Sequence, residues 1–216
     1  MTLADVLGGS RLSRLARGGA ARPAAEPQVG RCDLCAAALD ANHRHLVDLG
    51  QRAEERTVLC ACRACAVLFD RGTAGGHRYR RIPERCRSLA NFRLDDEIWD
   101  ALGVPVGLAF FVRDGACDRI VALCPSAIGT TEARVDQAAW RRVEADNPVL
   151  AELEPDVEAL LVNRARGARE HWLAPLDVCY RLAAVVRTQW RGLSGGQEVW
   201  AAIGRFFETL AGKGGR

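Results

Sequence analysis

The chain has 216 residues and a formal net charge of +3, which suits one core with a small appendage and does not by itself indicate nucleic-acid binding. No stretch approaches the roughly 20 apolar residues of a membrane span, and the N-terminus lacks the pattern of a secretory signal. We therefore predict a cytoplasmic protein that does not enter the membrane. In that compartment clustered cysteines are more often metal ligands or catalytic groups than disulfides.

In chain order, residues 1–31 are predicted to form a flexible tail, because glycine pairs and prolines interrupt every apolar pattern. A zinc-ribbon-like module with four cysteine ligands follows at residues 32–71. Its strand candidates are His45–Leu49 and Arg56–Leu59, and the apolar run Ala66–Phe69 would pack against a larger body. A glycine-rich linker leads to an α+β domain at residues 77–212.

The α+β domain is predicted to contain a mixed or antiparallel sheet of four or five strands and a C-terminal helix pair. Asp95 would cap a short helix that Gly103 ends. Strands are predicted at Val104–Val112, Arg119–Cys124, Val157–Val162 and His171–Ala174, with a further helix at Gln137–Ala145. Apolar residues at helical spacing predict the last two helices; Phe110, Phe111, Trp190 and Phe206 are expected in the core.

Five of the nine cysteines lie between residues 32 and 65. Two C-x-x-C steps can aim four thiolates at one metal ion. Cys32, Cys35, Cys62 and Cys65 have the required spacing, and Cys60 is a surplus fifth candidate. Zinc is the first choice, and iron or an iron–sulfur cluster is the alternative, because four thiolates also hold iron. His43 and His45 are interpreted as residues of a solvated strand end, since the cysteines already suffice.

The remaining sequence motifs are weaker evidence for a function. One arginine-rich segment contains Arg78, Arg80, Arg81, Arg85 and Arg87. It could bind nucleic acid or form the solvent-exposed face of an edge strand. All but one of the 30 basic residues of the chain are arginine, which indicates coding bias and weakens the case for nucleic-acid binding. Cys179 with His171 and Asp177 resembles a thiol-hydrolase trio, but its helical spacing predicts a core position. Leu193–Gln197 matches an ATP-binding-cassette signature without the phosphate loop it needs. We predict no active site, so an enzyme is not the preferred interpretation.

Several segments together resemble an uncharacterised family of high-GC bacterial proteins, often encoded beside nickel–iron hydrogenase genes. The resemblance covers residue 32 to the end and rests on both cysteine steps, His43-Arg44-His45-Leu46, Gly103–Phe111, Leu153–Leu161 and Trp190–Gly196. It implies a cytoplasmic, non-enzymatic metal-binding accessory protein that assists assembly or maturation of a metalloenzyme such as nickel–iron hydrogenase. Its partner would be a hydrogenase subunit or maturation factor. The alternative function is a zinc-ribbon nucleic-acid-binding or regulatory protein.

Overall fold

The computed structural model describes residues 30–50, 56–70, 78–192 and 194–214. From Arg31 onward these residues form one compact unit. They build a small three-stranded sheet and a larger six-stranded sheet, with helices beside both. Residues 1–29 of the predicted tail and the glycine-rich linker lie outside the described residues, whereas Arg31, the last residue of the predicted tail, pairs with Ala38. None of the described helices combines the length and the apolar character needed to span a bilayer.

The small sheet carries the cysteine-rich part of the chain. Its strands are β1 (Arg44–Asp48), β2 (Thr57–Ala61) and β3 (Tyr79–Arg81), antiparallel in the order β2-β1-β3. Helix α1 (Arg63–Phe69) follows β2 directly. Both predicted strands of the module are present, although β2 extends through Cys60 to Ala61. Two adjacent residues of the arginine-rich segment, Arg80 and Arg81, thus lie on an edge strand.

The large sheet is antiparallel, with strand order β4-β9-β8-β5-β6-β7. It has six strands, against the four or five predicted. The strands are β4 (Arg87–Ser88), β5 (Leu108–Asp114), β6 (Arg119–Ser126), β7 (Gly129–Ala133), β8 (Glu158–Asn163) and β9 (Glu170–Pro175).

Four helices accompany this sheet: α2 (Asp96–Leu102), α3 (Gln137–Asp146), α4 (Leu176–Gln189) and α5 (Gly196–Gly214). Short 3-10 turns occur at Pro148–Glu152 and Ala165–Gly167. The predicted caps of α2 are confirmed: the Asp95 carboxylate accepts from the Ile98 N–H, and Gly103 ends the helix in the left-handed conformation at φ 77°.

Both faces of the large sheet are buried. Phe110 lies in a core with α4 and α5, whereas its neighbour Phe111 lies in the opposite core with α2 and α3, as the alternation of strand side chains requires. Both phenylalanines are fully buried as predicted, but Trp190 and Phe206 are only partly buried at the margin of the first core. The molecule therefore has helix, sheet and helix layers, with the small sheet attached.

The small sheet joins the large one through both apolar and ionic contacts. Val47 of β1 and Ile82 after β3 belong to the same core as Phe110. Arg56, almost fully buried, lies 3.1 Å from the Asp114 carboxylate and 2.6 Å from that of Asp156. A buried arginine between two carboxylates is costly to separate. These contacts give the cysteine-rich part a fixed position on the body.

The apolar run Ala66–Phe69 divides between two environments. Ala66 is buried in the small core beside the cysteines, and Phe69 packs edge-on against Tyr79 at 5.7 Å between ring centroids. Val67 and Leu68, in contrast, are 75% and 53% exposed. The run therefore anchors α1 on one side and leaves an apolar surface on the other.

Candidate metal centre

The first pair of cysteines lies on a tight turn. Arg31 and Ala38 form an isolated antiparallel bridge around it, and Ala36 adopts the left-handed conformation at φ 60°. The Ala36 N–H donates to the Cys32 carbonyl and the Cys32 N–H to the Ala37 carbonyl, each at 2.8 Å. The turn thus brings the side chains of Cys32 and Cys35 to the same side.

The second pair lies at the start of α1. Cys62 is the N-cap residue, and its sulfur accepts the backbone N–H of Cys65 at 3.5 Å. The sulfur takes the place of the oxygen that a serine or aspartate would supply at this position. One helical turn separates Cys62 from Cys65, and this turn directs both sulfurs toward the first pair.

Asp33 ties the two turns together. Its backbone N–H donates to the Cys60 carbonyl at 2.9 Å, and its carboxylate accepts the Cys60 N–H at 2.6 Å. Because Asp33 lies within the first C-x-x-C step and Cys60 lies just before the second, these bonds fix the distance between the two steps. The folded backbone therefore holds the cysteine pairs face to face.

The sulfurs of Cys32, Cys35, Cys62 and Cys65 all lie within 4.8 Å of one another. Those of Cys35 and Cys62 are 3.7 Å apart, too far for a disulfide. A tetrahedral zinc site with Zn–S bonds of about 2.3 Å has sulfurs about 3.8 Å apart. The four cysteines could therefore hold one metal ion.

The thiols of Cys32 and Cys65 have pKa values shifted in opposite directions. Burial raises the pKa of Cys32, but backbone hydrogen bonds from Cys62, Leu34 and Cys35 outweigh it and lower that pKa to about 6. Burial, followed by hydrogen bonds with the neighbouring cysteines, raises the pKa of Cys65 far above its usual value. Four ionised thiols in so small a space repel one another. A cation is therefore needed before all four can act as thiolates.

Cys60, the fifth candidate, lies outside this group. Its sulfur instead lies with ring nitrogens of His43 and His45, all three atoms within 4.8 Å of one another. Each of these residues is half-buried, so the histidines do not form the solvated strand end expected from the sequence. The useful signal was the pairing of His45 with Cys60 across β1 and β2, which spacing alone does not give.

The arginine-rich segment is neutralised by acidic neighbours. Each of its five arginines forms an ion pair, and several of the carboxylates are buried. The pairs are Arg78 with Asp48, Arg80 with Glu154 and Asp156, Arg81 with Asp70, Arg85 with Glu154 and Glu158, and Arg87 with Glu152. Arg78 and Arg81 thus bind carboxylates of the small module, and the other three arginines bind carboxylates of the large-sheet body.

The residues of the thiol-hydrolase pattern do not meet. Cys179 is fully buried on α4, and burial raises the pKa of its thiol well above the usual value. His171 stacks on Phe92 at 4.9 Å, whereas Asp177 contacts His45, with 3.1 Å between the carboxylate and the ring Nδ1. Cys179 is therefore a core residue, as its helical spacing predicted.

A family model described as a family of unknown function, DUF5947, matches residues 31–214. The chain belongs to this family. The match begins just before Cys32 and runs through α5, so it includes the four-cysteine group and both sheets. No curated protein matches the chain, and no solved structure matches it either. Membership of DUF5947 carries no activity with it, so the function has to be argued from the geometry.

Proposed function

We propose that the protein is a non-enzymatic metal-binding accessory protein, and that Cys32, Cys35, Cys62 and Cys65 hold a zinc ion in a zinc-ribbon-like module. The observation that carries this proposal is the mutual 4.8 Å spacing of the four sulfurs. Such spacing suits a single ion bound by four thiolates, the composition of a closed structural zinc site. An iron–sulfur cluster needs more space, because its cysteines bind different iron atoms.

Mononuclear iron remains the alternative, because four thiolates also bind a single iron ion. The metal content and visible spectrum of protein purified without oxygen separate the two. We expect one tightly bound zinc ion per chain at the four-cysteine site and no visible colour. The Cys62→Ser variant should lose this ion, whereas Cys117→Ser, which changes an exposed cysteine elsewhere, should retain it. Full metal retention by Cys62→Ser would contradict the proposal.

The accessory role is supported by the surface next to the metal site. Val67 and Leu68 are exposed on α1, within three residues of Cys65, and a bound ion would rigidify the start of this helix. We propose that this surface contacts a protein partner. The resemblance described above suggests a hydrogenase subunit or maturation factor as that partner.

A direct binding measurement tests the partner. Purified nickel–iron hydrogenase large subunit and its maturation factors can be titrated against the metal-loaded protein and against Val67→Glu. We expect binding by the first protein and at least tenfold weaker binding by the variant. Ile128→Glu is the matched control, because Ile128 is also exposed, at 85%, but lies on the turn between β6 and β7. Absence of binding to every component would reject this partner class.

Nucleic-acid binding is the alternative function, and the ion pairs of the arginine-rich segment weigh against it. Binding of this kind depends on free positive charge and falls steeply with salt. Anisotropy of labelled duplex DNA and RNA at low salt tests it directly. We expect no saturable binding; binding that Arg87→Met weakens would favour the alternative.

A further inference from the structure

Strand pairing brings His43, His45 and Cys60 together. His45 of β1 lies directly opposite Cys60 of β2, and directly opposed residues of an antiparallel pair project to the same face. His43 precedes β1 by one residue, and its ring meets that of His45 edge-on at 4.9 Å between centroids. A ring nitrogen from each histidine and the Cys60 sulfur lie within 4.8 Å of one another.

Hydrogen bonds set the orientation of both imidazole rings. The Nδ1 atom of His43 is 2.9 Å from the Asp40 carbonyl oxygen, and that of His45 is 3.1 Å from the Asp177 carboxylate. Since a carbonyl or carboxylate oxygen can only accept, each Nδ1 carries the hydrogen and each Nε2 presents a lone pair. Carbonyl or carboxylate partners of this kind are typical of histidines that bind metals.

One of these Nε2 atoms lacks a partner. His43 Nε2 is buried and makes no hydrogen bond to any described residue. A buried polar atom without a partner costs free energy. A metal ion bound to that lone pair would remove the cost.

The surroundings favour a cation and allow access to it. The Asp177 carboxylate lies 3.1 Å from His45 Nδ1, and the Asp33 carboxylate accepts the Cys60 N–H at 2.6 Å, so two negative groups beside the three donors attract a positive ion. His43, His45 and Asp177 also line a surface cavity of about 670 Å³. An ion can therefore reach the histidines from solvent, and a water molecule or small ligand could complete its coordination.

We propose that His43, His45 and Cys60 form a second metal site, which binds a divalent transition-metal ion such as Zn²⁺ and keeps one coordination position open to this cavity. Three protein ligands with an open fourth position characterise exchangeable or catalytic zinc sites, whereas four cysteines characterise structural ones. The inference goes beyond the proposed function, because it assigns the surplus cysteine a ligand role in a separate, more labile site.

Metal titration of the full chain tests the second site. Protein stripped of metal without oxygen is titrated with Zn²⁺ against a competing chelator, and with Co²⁺, whose absorption reports thiolate ligation. We expect two ions per chain, the second bound more weakly. Cys60→Ser and the double variant His43→Ala/His45→Ala should each bind one. Asp177→Asn should weaken the second ion about 10- to 100-fold, because it removes the charge that orients His45.

Matched variants separate this proposal from the proposed function. Cys117→Ser should still bind two ions, and Cys62→Ser should lose the tight ion while retaining the weaker one. Circular dichroism and melting temperature establish that each variant is folded; if Cys62→Ser unfolds, the Cys60 and histidine variants suffice. A wild-type protein that saturates at one ion would overturn the second site. So would a second ion that persists in the double histidine variant, and both results would leave the four-cysteine site intact.

Discussion

Replacing Arg85 with methionine tests whether the arginine-rich segment serves the fold. The Arg85 guanidinium donates from Nε and Nη2 to the two carboxylate oxygens of Glu158, each at 2.6 Å. The Glu158 side chain is completely buried, whereas that of Arg85 is 49% exposed. Methionine keeps much of the aliphatic length but removes the charge, both of these hydrogen bonds and a third one from Nη2 to the Glu152 carbonyl at 2.8 Å. A buried carboxylate would then retain only the Glu154 N–H among its described donors.

The expected cost follows from the burial of Glu158. Breaking a buried ion pair by removing one partner costs about 3–5 kcal/mol. The remaining hydrogen bond and the exposure of the arginine place Arg85→Met at the lower end of that range, at about 3 kcal/mol. For a protein of this size, that corresponds to a decrease in melting temperature of roughly 6–12 °C. Thermal and urea unfolding of the metal-loaded protein at pH 7 measure the change.

Arg87→Met is the matched control. The Arg87 side chain is also 49% exposed, but its partner Glu152 is 50% exposed, and an exposed pair contributes about 0–1 kcal/mol. The two substitutions thus remove the same group at the same exposure, and they differ chiefly in the burial of the carboxylate. Arg85 also donates to the Glu152 carbonyl and pairs with the half-exposed Glu154. Equal losses of stability in the two variants would refute the reasoning.

Three further predictions concern a buried histidine, a pair of glycines and a core cysteine. Burial, together with Arg164 and Arg169, lowers the pKa of His171 to about 4. Between pH 6.5 and 4 the unfolded chain therefore binds a proton on this histidine and the folded chain does not. The free energy of unfolding should fall by about 3 kcal/mol as the pH falls through this range. His171→Phe should abolish that part of the acid dependence in urea unfolding, and an unchanged acid profile would contradict it. Gly107→Ala should lower the free energy of unfolding by about 1–3 kcal/mol in the same assay, because the added Cβ would lie 3.0 Å from the backbone nitrogen of Ala165. Gly204→Ala is the contrasting change: its Cβ would enter open space on α5, so it should raise the free energy of unfolding by about 0.5–1 kcal/mol. Cys179→Ala should lower stability by about 1 kcal/mol without changing metal content; loss of metal would show that Cys179 does more than fill the core.

The sequence predicted elements whose signals are local. Asp95 and Gly103 mark the ends of α2 because a cap depends on adjacent backbone groups. The apolar spacing of α4 and α5 likewise predicts both helices. Two short apolar runs around a polar turn predict the strand pair β8–β9, which the structure contains. The α+β class and antiparallel sheets followed from these elements.

Elements that depend on distant contacts were missed. Strand β7 has few apolar residues and exists because it pairs with β6, and β4 consists of two residues paired with β9. Strand β5 begins at Leu108, later than predicted, because Gly107 packs closely against Arg164 and Ala165. None of these contacts leaves a local pattern in the sequence.

The same distinction applies to the site. The spacing of two C-x-x-C steps identified Cys32, Cys35, Cys62 and Cys65 as one group, since each step is a local turn. The place of Cys60 depends on register, and register was not available from composition or spacing. Four cysteines already complete one ligand set, so the sequence gives no reason to expect histidine ligands; a complete set does not exclude a second one beside it.

The burial of both faces of β5 bears on how its pairing is specified during folding. In a strand with one solvent-exposed face, a slip of one residue turns its apolar side chains into water, and the free-energy cost of exposing them disfavours the slipped register. In β5 the same slip would exchange Phe110 with Phe111 between two apolar layers, with little change in exposed area. The polar end of β5 opposes the slipped pairing, because the slip would separate Asp114 from buried Arg56 and Arg113 from Glu144. The ion pair between Asp114 and Arg56, which precedes β2 of the small sheet, thus helps to set the register of the central strand.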